Sequence, residues 1–281
     1  MRIAILGTGF LGTRLIDIFS KKHEVFAGDI NPKNELIQKI DATNKKEIQD
    51  FLYLIKPDIV VDTIALTNSI VCENNPALAK KLNYQTAKNI AEICKEINSK
   101  MVFMSSSYLF NGQKGNYSEI DKTTPMNEYA KTKMLAEKEV SKIPDYLILR
   151  ADIMYGHTGK KGNNGIFERI LSGKNIELRK PHQLRQPLFV DDVARVILSL
   201  ANKNQKGIFN VAGPDKMYMI DFLKNLEKLI RSETKIIIFK GKMVAIKTPK
   251  NSTFNISKIK SLGIETTSFE KGLRNLKNQV N

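Results

Sequence analysis

The segment 2-RIAILGTGFLGTRL-15 passes from an apolar strand candidate, through three glycines, into a helical pattern. Its centre, 7-GTGFLG-12, has the spacing G-x-G-x-x-G. That spacing is weak alone, so its surroundings carry the reading. A strand precedes it, a helix follows, and a second strand, 24-EVFAGDI-30, places Asp29 near its end. This context predicts a dinucleotide-binding turn. Gly7 would make the tight turn, Gly9 would let backbone approach a pyrophosphate, and Gly12 would let helix pack on strand. Phe10 and Leu11 complete the loop where the helix begins, and its orphan N–H groups and positive dipole end would face the phosphates. Asp29 would accept hydrogen bonds from the adenosine ribose and repel a 2′-phosphate, which favours NAD(H). Lys33 nearby would soften that preference, so NADP(H) stays open.

Outward from this segment the first half repeats strand and helix. Further strand candidates are 58-DIVVDTIAL-66, 101-MVFM-104 and 145-DYLILRADI-153. They are continuously apolar, as strands covered on both faces should be. Between them, 76-PALAKKLNYQTAKNIAEICKEI-97 reads as one helix, with Leu78, Leu82, Ile90, Ile93, Cys94 and Ile97 on one stripe. Strand–helix–strand repetition predicts an α/β, Rossmann-type doubly wound parallel sheet. After residue 153 the rhythm breaks at the polar loop 156-GHTGKKGNNG-165. Its glycines, Gly159, Gly162 and Gly165, lack a following acidic strand end and read as a flexible loop beside a substrate. A strand at 207-GIFNVAG-213 follows a helix that begins at Asp191 or Asp192. The tail reads as helix 220–231, strand 235–239 and helix 268–279. We assign 1–153 and 184–215 to a dinucleotide-binding domain, and 154–183 and 216–281 to a smaller C-terminal substrate-binding lobe.

Bulk properties narrow the class. The chain has 281 residues, 42% hydrophobic content and a formal charge of +16. Its lysines are spread along the sequence without a basic block, so the charge predicts no nucleic-acid partner. Cys72 and Cys94 lie far apart and fit a reducing cytoplasm. No apolar run approaches membrane-spanning length. The apolar N-terminus is broken by glycines and lacks a cleavage signal. His23, His157 and His182 have no metal-ligand spacing.

Two further motifs point to chemistry. Tyr129-x-x-x-Lys133 puts a phenol and an ammonium on one helix face. An ammonium beside a phenol favours the phenolate, and the pair suits proton transfer beside a nicotinamide. Tyr84-x-x-x-Lys88 has the same spacing but lies mid-helix with no hydroxyl cluster before it, and reads as a solvated flank. The serines of 105-SSSYLFNG-112 end a strand, where ligands of a parallel sheet bind, and a hydroxyl there could hold a substrate carbonyl.

Together these motifs resemble the extended short-chain dehydrogenases/reductases, in the branch of the dTDP-4-dehydrorhamnose reductases. The resemblance runs through the glycine loop, 105-SSSYLFNG-112, 129-YAKTK-133, 146-YLILRADIMYG-156, 184-LRQPLFVDDVARVI-197, 207-GIFNVAGP-214 and 248-TPKNSTFNISKIKSLGI-264. It implies that Ser106 polarises the substrate carbonyl, Tyr129 acts as general acid, and Lys133 binds the nicotinamide ribose and tunes Tyr129. It implies also that Asp41 and Ala42 lie near the adenine, that Ala65 lines the cofactor groove, and that Arg185 meets a nucleotide-sugar diphosphate. A homodimer is expected by the same analogy. The chain departs from the pattern in four places. Its glycine loop is one residue shorter between the first two glycines. Ser107 replaces the usual Asp, Ile153 stands where Trp is common, and Thr248 where Arg is common.

The implied activity is NAD(P)H-dependent reduction of a nucleotide-linked 4-keto-6-deoxysugar. Two alternatives share the scaffold. One is a non-catalytic dinucleotide-binding subunit resembling the β subunit of methionine adenosyltransferase. The other is a nucleotide-sugar epimerase or dehydratase, which recycles its cofactor where a reductase consumes it.

Overall fold

The computed structural model describes residues 1–159, 165–173, 175–230, 234–239 and 246–280. In chain order the strands are β1 (Arg2–Leu6), β2 (Glu24–Asp29), β3 (Ile37–Lys39), β4 (Ile59–Asp62), β5 (Lys100–Ser106), β6 (Tyr146–Ala151), β7 (Met154–Tyr155), β8 (Ile176–Leu178), β9 (Leu184–Arg185), β10 (Leu188–Phe189), β11 (Gly207–Val211), β12 (Met217–Tyr218) and β13 (Ile236–Ile238). The helices are α1 (Phe10–Phe19), α2 (Lys45–Ile55), α3 (Ser69–Asn74), α4 (Pro76–Lys80), α5 (Thr86–Glu96), α6 (Glu128–Val140), α7 (Ile166–Leu171), α8 (Val190–Asn202), α9 (Met219–Ile230), α10 (Ser257–Ser261) and α11 (Phe269–Val280).

Seven strands form one parallel sheet in the order β11-β6-β5-β4-β1-β2-β3. The expected Rossmann-type doubly wound sheet is therefore present, and strand order reverses between β1 and β4. Alternation within each apolar run feeds two cores. Ile3, Ile5, Val102, Leu147 and Leu149 face one side, where Leu15 and Phe19 of α1 and Val193 and Ile197 of α8 cover them. Ala4, Leu6, Met101, Phe103 and Ile148 face the other, under Phe51 and Leu52 of α2, Ile90 and Ile93 of α5, and Val140 of α6. A buried Leu, Ile or Phe contributes about 1.5–3 kcal/mol over an exposed one, so a strand apolar throughout is stable only between two helical layers.

Three elements of the first half differ from the sequence reading. The edge strand β3 was not expected, because 37-IQK-39 is short and mostly exposed. β5 does not stop at Met104; it continues through Ser105 and Ser106, which pair with Arg150 and Ala151 of β6. The helix expected over 76–97 is interrupted by a π turn at Lys81–Gln85. That turn shifts the helical phase, so Leu78 is exposed while Ile90, Ile93 and Cys94 are fully buried.

Beyond β6, three two-stranded sheets pair β7 with β10, β9 with β12, and β8 with β13. They surround a separate aromatic cluster of Tyr155, Phe167, Phe189, Phe222 and Phe269. Phe254, Ile256, Ile259 and Ile264 run back onto the main core. Among the described residues, no helix is long and apolar enough to cross a membrane.

Candidate active site

The reversal of strand order opens a trough at the carboxyl ends of the strands. One arm is a cavity of about 300 Å³ lined by Gly7, Gly9, Asp29, Asp41, Ala42 and Ala65, among others. The other is a cavity of about 580 Å³ lined by Gly9, Phe10, Leu11, Ala65, Ser106, Tyr129, Lys133 and Arg185, among others. Gly9, Thr63 and Ala65 belong to both walls, so the two arms are continuous.

The glycine loop is built by close contact. Gly7 has φ +92°, a left-handed conformation that favours glycine. A Cβ on Gly12 would lie 1.9 Å from the Gly7 carbonyl oxygen, so the helix meets the loop backbone itself. A Cβ on Gly9 would meet nothing within 4 Å; it would project into the open trough. Gly9 also starts α1 without a side-chain cap. This cradle of backbone, free of side chains, fits a dinucleotide pyrophosphate.

Asp29 sits where expected, but its carboxylate is engaged within the protein. Oδ2 accepts from the Thr8 N–H at 2.5 Å and from Thr8 Oγ1 at 2.8 Å; Oδ1 accepts from the Asn31 N–H at 2.9 Å. The shortened loop is thus braced by Thr8 against the end of β2. Asp41 accepts from the Thr43 N–H and hydroxyl, which hold it below the usual carboxylate range.

In the larger arm, strand β5 presents the serines and α6 presents Tyr129 and Lys133. The start of α6 is fixed by Asn127, which accepts from the Ala130 N–H at 2.9 Å and donates to the Lys247 carbonyl at 2.8 Å. The Ser106 hydroxyl faces the Tyr129 phenol closely enough to favour its ionised form. Ser106 Oγ accepts from the Tyr108 N–H at 3.2 Å. Packing around the phenol pushes Tyr129 up to about 12, against the opposing pulls of the Ser106 hydroxyl and the Arg185 charge. This direction is opposite to the one expected of a phenol beside an ammonium, because burial outweighs the charges that favour the phenolate. Lys133 is buried, its Nζ 3.9 Å from the Phe103 ring centroid. Burial pushes it down to about 8, opposed by the charges of Asp62 and Glu137.

Arg185 lines the cavity with both terminal nitrogens of its guanidinium engaged, while its Nε is buried without a hydrogen-bond partner. Nη2 pairs with Asp152 at 2.6 Å, and Nη1 donates to the Tyr108 hydroxyl at 3.1 Å. Tyr108 in turn meets Tyr129 edge-on, with ring centroids 6.1 Å apart. Asp152 also accepts from Ser107 Oγ at 2.7 Å and the Gln186 N–H at 2.7 Å. Ser107, where the resemblance leads one to expect Asp, thus finds its carboxylate on the adjacent strand end. Thr248, where Arg was expected, accepts from Lys180 at 2.7 Å and Gln183 at 2.8 Å. Ile153 lines the cavity.

Sequence reading missed Asp152, Tyr108 and Asp62. Asp152 follows β6 directly, as Ser106 ends β5, so the strand-end rule that singled out Ser106 applied equally to it. Tyr108 lay inside a quoted motif, but nothing in the sequence tied it to Arg185. Tyr84 and Lys88 remain on the flank of the helical segment, where Lys88 lies 3.8 Å from Glu92. His157 bonds Glu168 at 3.0 Å. Among the described residues no group of acidic, His or Cys side chains could hold a metal ion. Cys72 and Cys94 are free and buried. Of the glycine-rich loop, residues 160–164, and Gly162 with them, lie outside the described residues, while Gly165 lines the larger cavity.

A family model described as the RmlD substrate binding domain matches residues 1–281. Among curated proteins, methionine adenosyltransferase 2 subunit beta of Bos taurus is 27% identical over 292 residues, covering 97% of this chain and 86% of that protein. The probable low-salt glycan biosynthesis reductase Agl14 of Haloferax volcanii is 24% identical over 240 residues, covering 82% and 80%. The crystal structure of a dTDP-4-dehydrorhamnose reductase from Clostridium acetobutylicum superposes with a TM-score of 0.85 at 26% identity, covering 100% of this chain and 99% of that one.

Proposed function

The chain belongs to the RmlD substrate binding domain family, and from that premise we propose that it is an NAD(P)H-dependent reductase of a nucleotide-linked 4-keto-6-deoxysugar. One observation carries the reading. The hydroxyls of Ser106 and Tyr129 line one cavity with Lys133, and that cavity is continuous with the glycine cradle. Gly7, Gly9, Phe10, Leu11 and Gly12 would hold the pyrophosphate, Asp41 and Ala42 the adenine end, and Ala65 the passage between the arms. Asp29 keeps a carboxylate at the end of β2, which supports a preference for NAD(H).

When bound, the nicotinamide supplies a hydride to the sugar carbonyl carbon. Ser106 would donate a hydrogen bond to the carbonyl oxygen and hold it beside Tyr129. Tyr129, kept protonated by its surroundings, would give its phenolic proton to that oxygen as negative charge develops there. Lys133, cationic below about pH 8, would hold the ribose and offset the charge left on the phenol. Ile166 and Arg169 of α7 line this side of the trough, and the C-terminal lobe would carry the sugar-nucleotide contacts. By the same family analogy the protein would act as a homodimer.

The test is spectrophotometric. NADH and NADPH absorbance is followed as the protein meets dTDP-4-keto-6-deoxyglucose, with and without the epimerase that makes the rhamnose precursor. One coenzyme should be oxidised stoichiometrically, and Tyr129→Phe should lower the rate roughly a hundredfold or more. Tyr129→Phe turning over as fast as wild type would defeat the mechanism.

A second reading, a dinucleotide-binding regulatory subunit, is favoured by the 27% identity to methionine adenosyltransferase 2 subunit beta over 97% of this chain. It requires stable co-purification with a synthetase and no turnover of the ketosugar. Brisk turnover by the protein alone rejects it.

A further inference from the structure

The larger cavity is lined by three cationic side chains, Lys133, Arg185 and Arg169, and one carboxylate, Asp152. One of the cations, Arg185, is already compensated, and a second, Lys133, is buried. Arg185 and Asp152 are both more than nine-tenths buried and form an ion pair at 2.6 Å. At any distance beyond that pair their fields largely cancel, and an anion drawing Arg185 away would strand a buried carboxylate. Lys133 is almost wholly buried, with its Nζ over the Phe103 ring, so little of it reaches the cavity. Arg169, on α7, differs from both. It is the exposed one of the three, lines the cavity beside Gly165 and Ile166, and, unlike Arg185, has no side-chain ion pair among the described residues.

We propose that Arg169 binds the phosphate groups of the nucleotide-linked substrate, and that Arg185, assigned to this task by resemblance, instead braces Tyr108 against Tyr129. The proposal rests on the reading of the cavity as a nucleotide-sugar site. A substrate of that class is chemically divided, with a neutral sugar whose carbonyl needs the hydroxyl pair and a diphosphate that needs a positive counter-charge. The hydroxyls of Ser106 and Tyr129 serve the first end. Arg169 is the cation left to serve the second among the described lining residues, and its planar guanidinium can donate two parallel hydrogen bonds to phosphate oxygens. Because Arg169 is exposed and has no ion-pair partner among the described residues, it contributes attraction without first breaking one of those contacts.

The experiment compares wild type, Arg169→Ala and Arg169→Lys. Steady-state kinetics with the ketosugar nucleotide are combined with calorimetric binding of dTDP and of NADH. Arg169→Ala should raise KM and weaken dTDP binding about tenfold or more, from loss of a charge-assisted hydrogen bond. Arg169→Lys should fall between, because one ammonium replaces a two-pronged donor. The melting temperature and NADH affinity should stay at the wild-type value in both. A wild-type KM and wild-type dTDP affinity in Arg169→Ala, with turnover intact, would overturn this assignment alone. If the wild type itself neither binds dTDP nor oxidises either coenzyme, the reading of the cavity falls and the role of Arg169 falls with it.

Discussion

Gly9 and Gly12 lie one helical turn apart, yet their surroundings predict opposite responses to the same methyl group. At Gly12 the new Cβ would sit 1.9 Å from the Gly7 carbonyl oxygen, a backbone atom that cannot swing aside. Gly12→Ala should therefore lose stability by at least the 1–3 kcal/mol typical of overpacking, read as a lower melting temperature. At Gly9 the Cβ would enter open space shared by both arms of the trough. Gly9→Ala should melt close to wild type but bind NADH at least about tenfold more weakly in a fluorescence titration, since the methyl occupies room the backbone leaves for the pyrophosphate. Weak binding by a well-folded Gly9→Ala protein would separate the glycine that shapes the loop from the glycine that faces the ligand. The motif already assigns helix packing to Gly12 and a close backbone approach to Gly9, and what stands opposite each Cβ supplies the physical reason.

Helix α6 carries the phenol and the ammonium, and its register depends on its first residue. Asn127 is buried and works in two directions, capping the helix through Oδ1 and tying Nδ2 to the Lys247 carbonyl. Asn127→Ala should cost about 1 kcal/mol for the cap alone, and more for the unpaired Lys247 carbonyl. Asn127→Ser keeps a capping oxygen and should recover roughly the cap's share in urea unfolding. Equal stability of the two variants would mean that the cap contributes nothing. The neighbouring π turn at Lys81–Gln85 has a similar positional role. It turns Asn83 inward, where its side chain bonds both the N–H and the carbonyl of Leu66 and the Thr132 hydroxyl of α6. Apolar spacing marked this stretch as helix, but an inserted residue that changes phase leaves no signal in a pattern of period 3.6.

Across the whole molecule, the site holds charge in a buried setting, and this links stability to pH. Burial pushes Asp62 up to about 6 from 3.8, and Lys133 down to about 8 from 10.5. Between pH 3.8 and 6 the folded chain binds more of the Asp62 proton than the unfolded chain does, so that contribution falls as pH rises. Between pH 8 and 10.5 the unfolded chain binds more of the Lys133 proton, so that contribution rises with pH. Lys133→Met should lack the second effect. The stability of wild type relative to Lys133→Met, from urea unfolding at pH 7.5 to 10, should therefore increase with pH. A flat difference would mean that Lys133 titrates normally in the fold.

The sequence by itself determined the sheet, the glycine cradle, and the grouping of Ser106, Tyr129 and Lys133 near one strand end. Each depends on local pattern: apolar runs, turn glycines, and residues placed at the carboxyl ends of strands. Tertiary structure alone decided how the charges are paired. Arg185 meets Asp152 from 33 residues away along the chain, and Lys133 answers to Asp62 and Glu137 while Tyr129 answers to Ser106 and Arg185. Pairing depends on distance and burial, and neither is set by spacing along the chain. For the same reason Arg169, an ordinary arginine in sequence, becomes notable once Arg185 is found paired with Asp152 and Lys133 is found buried.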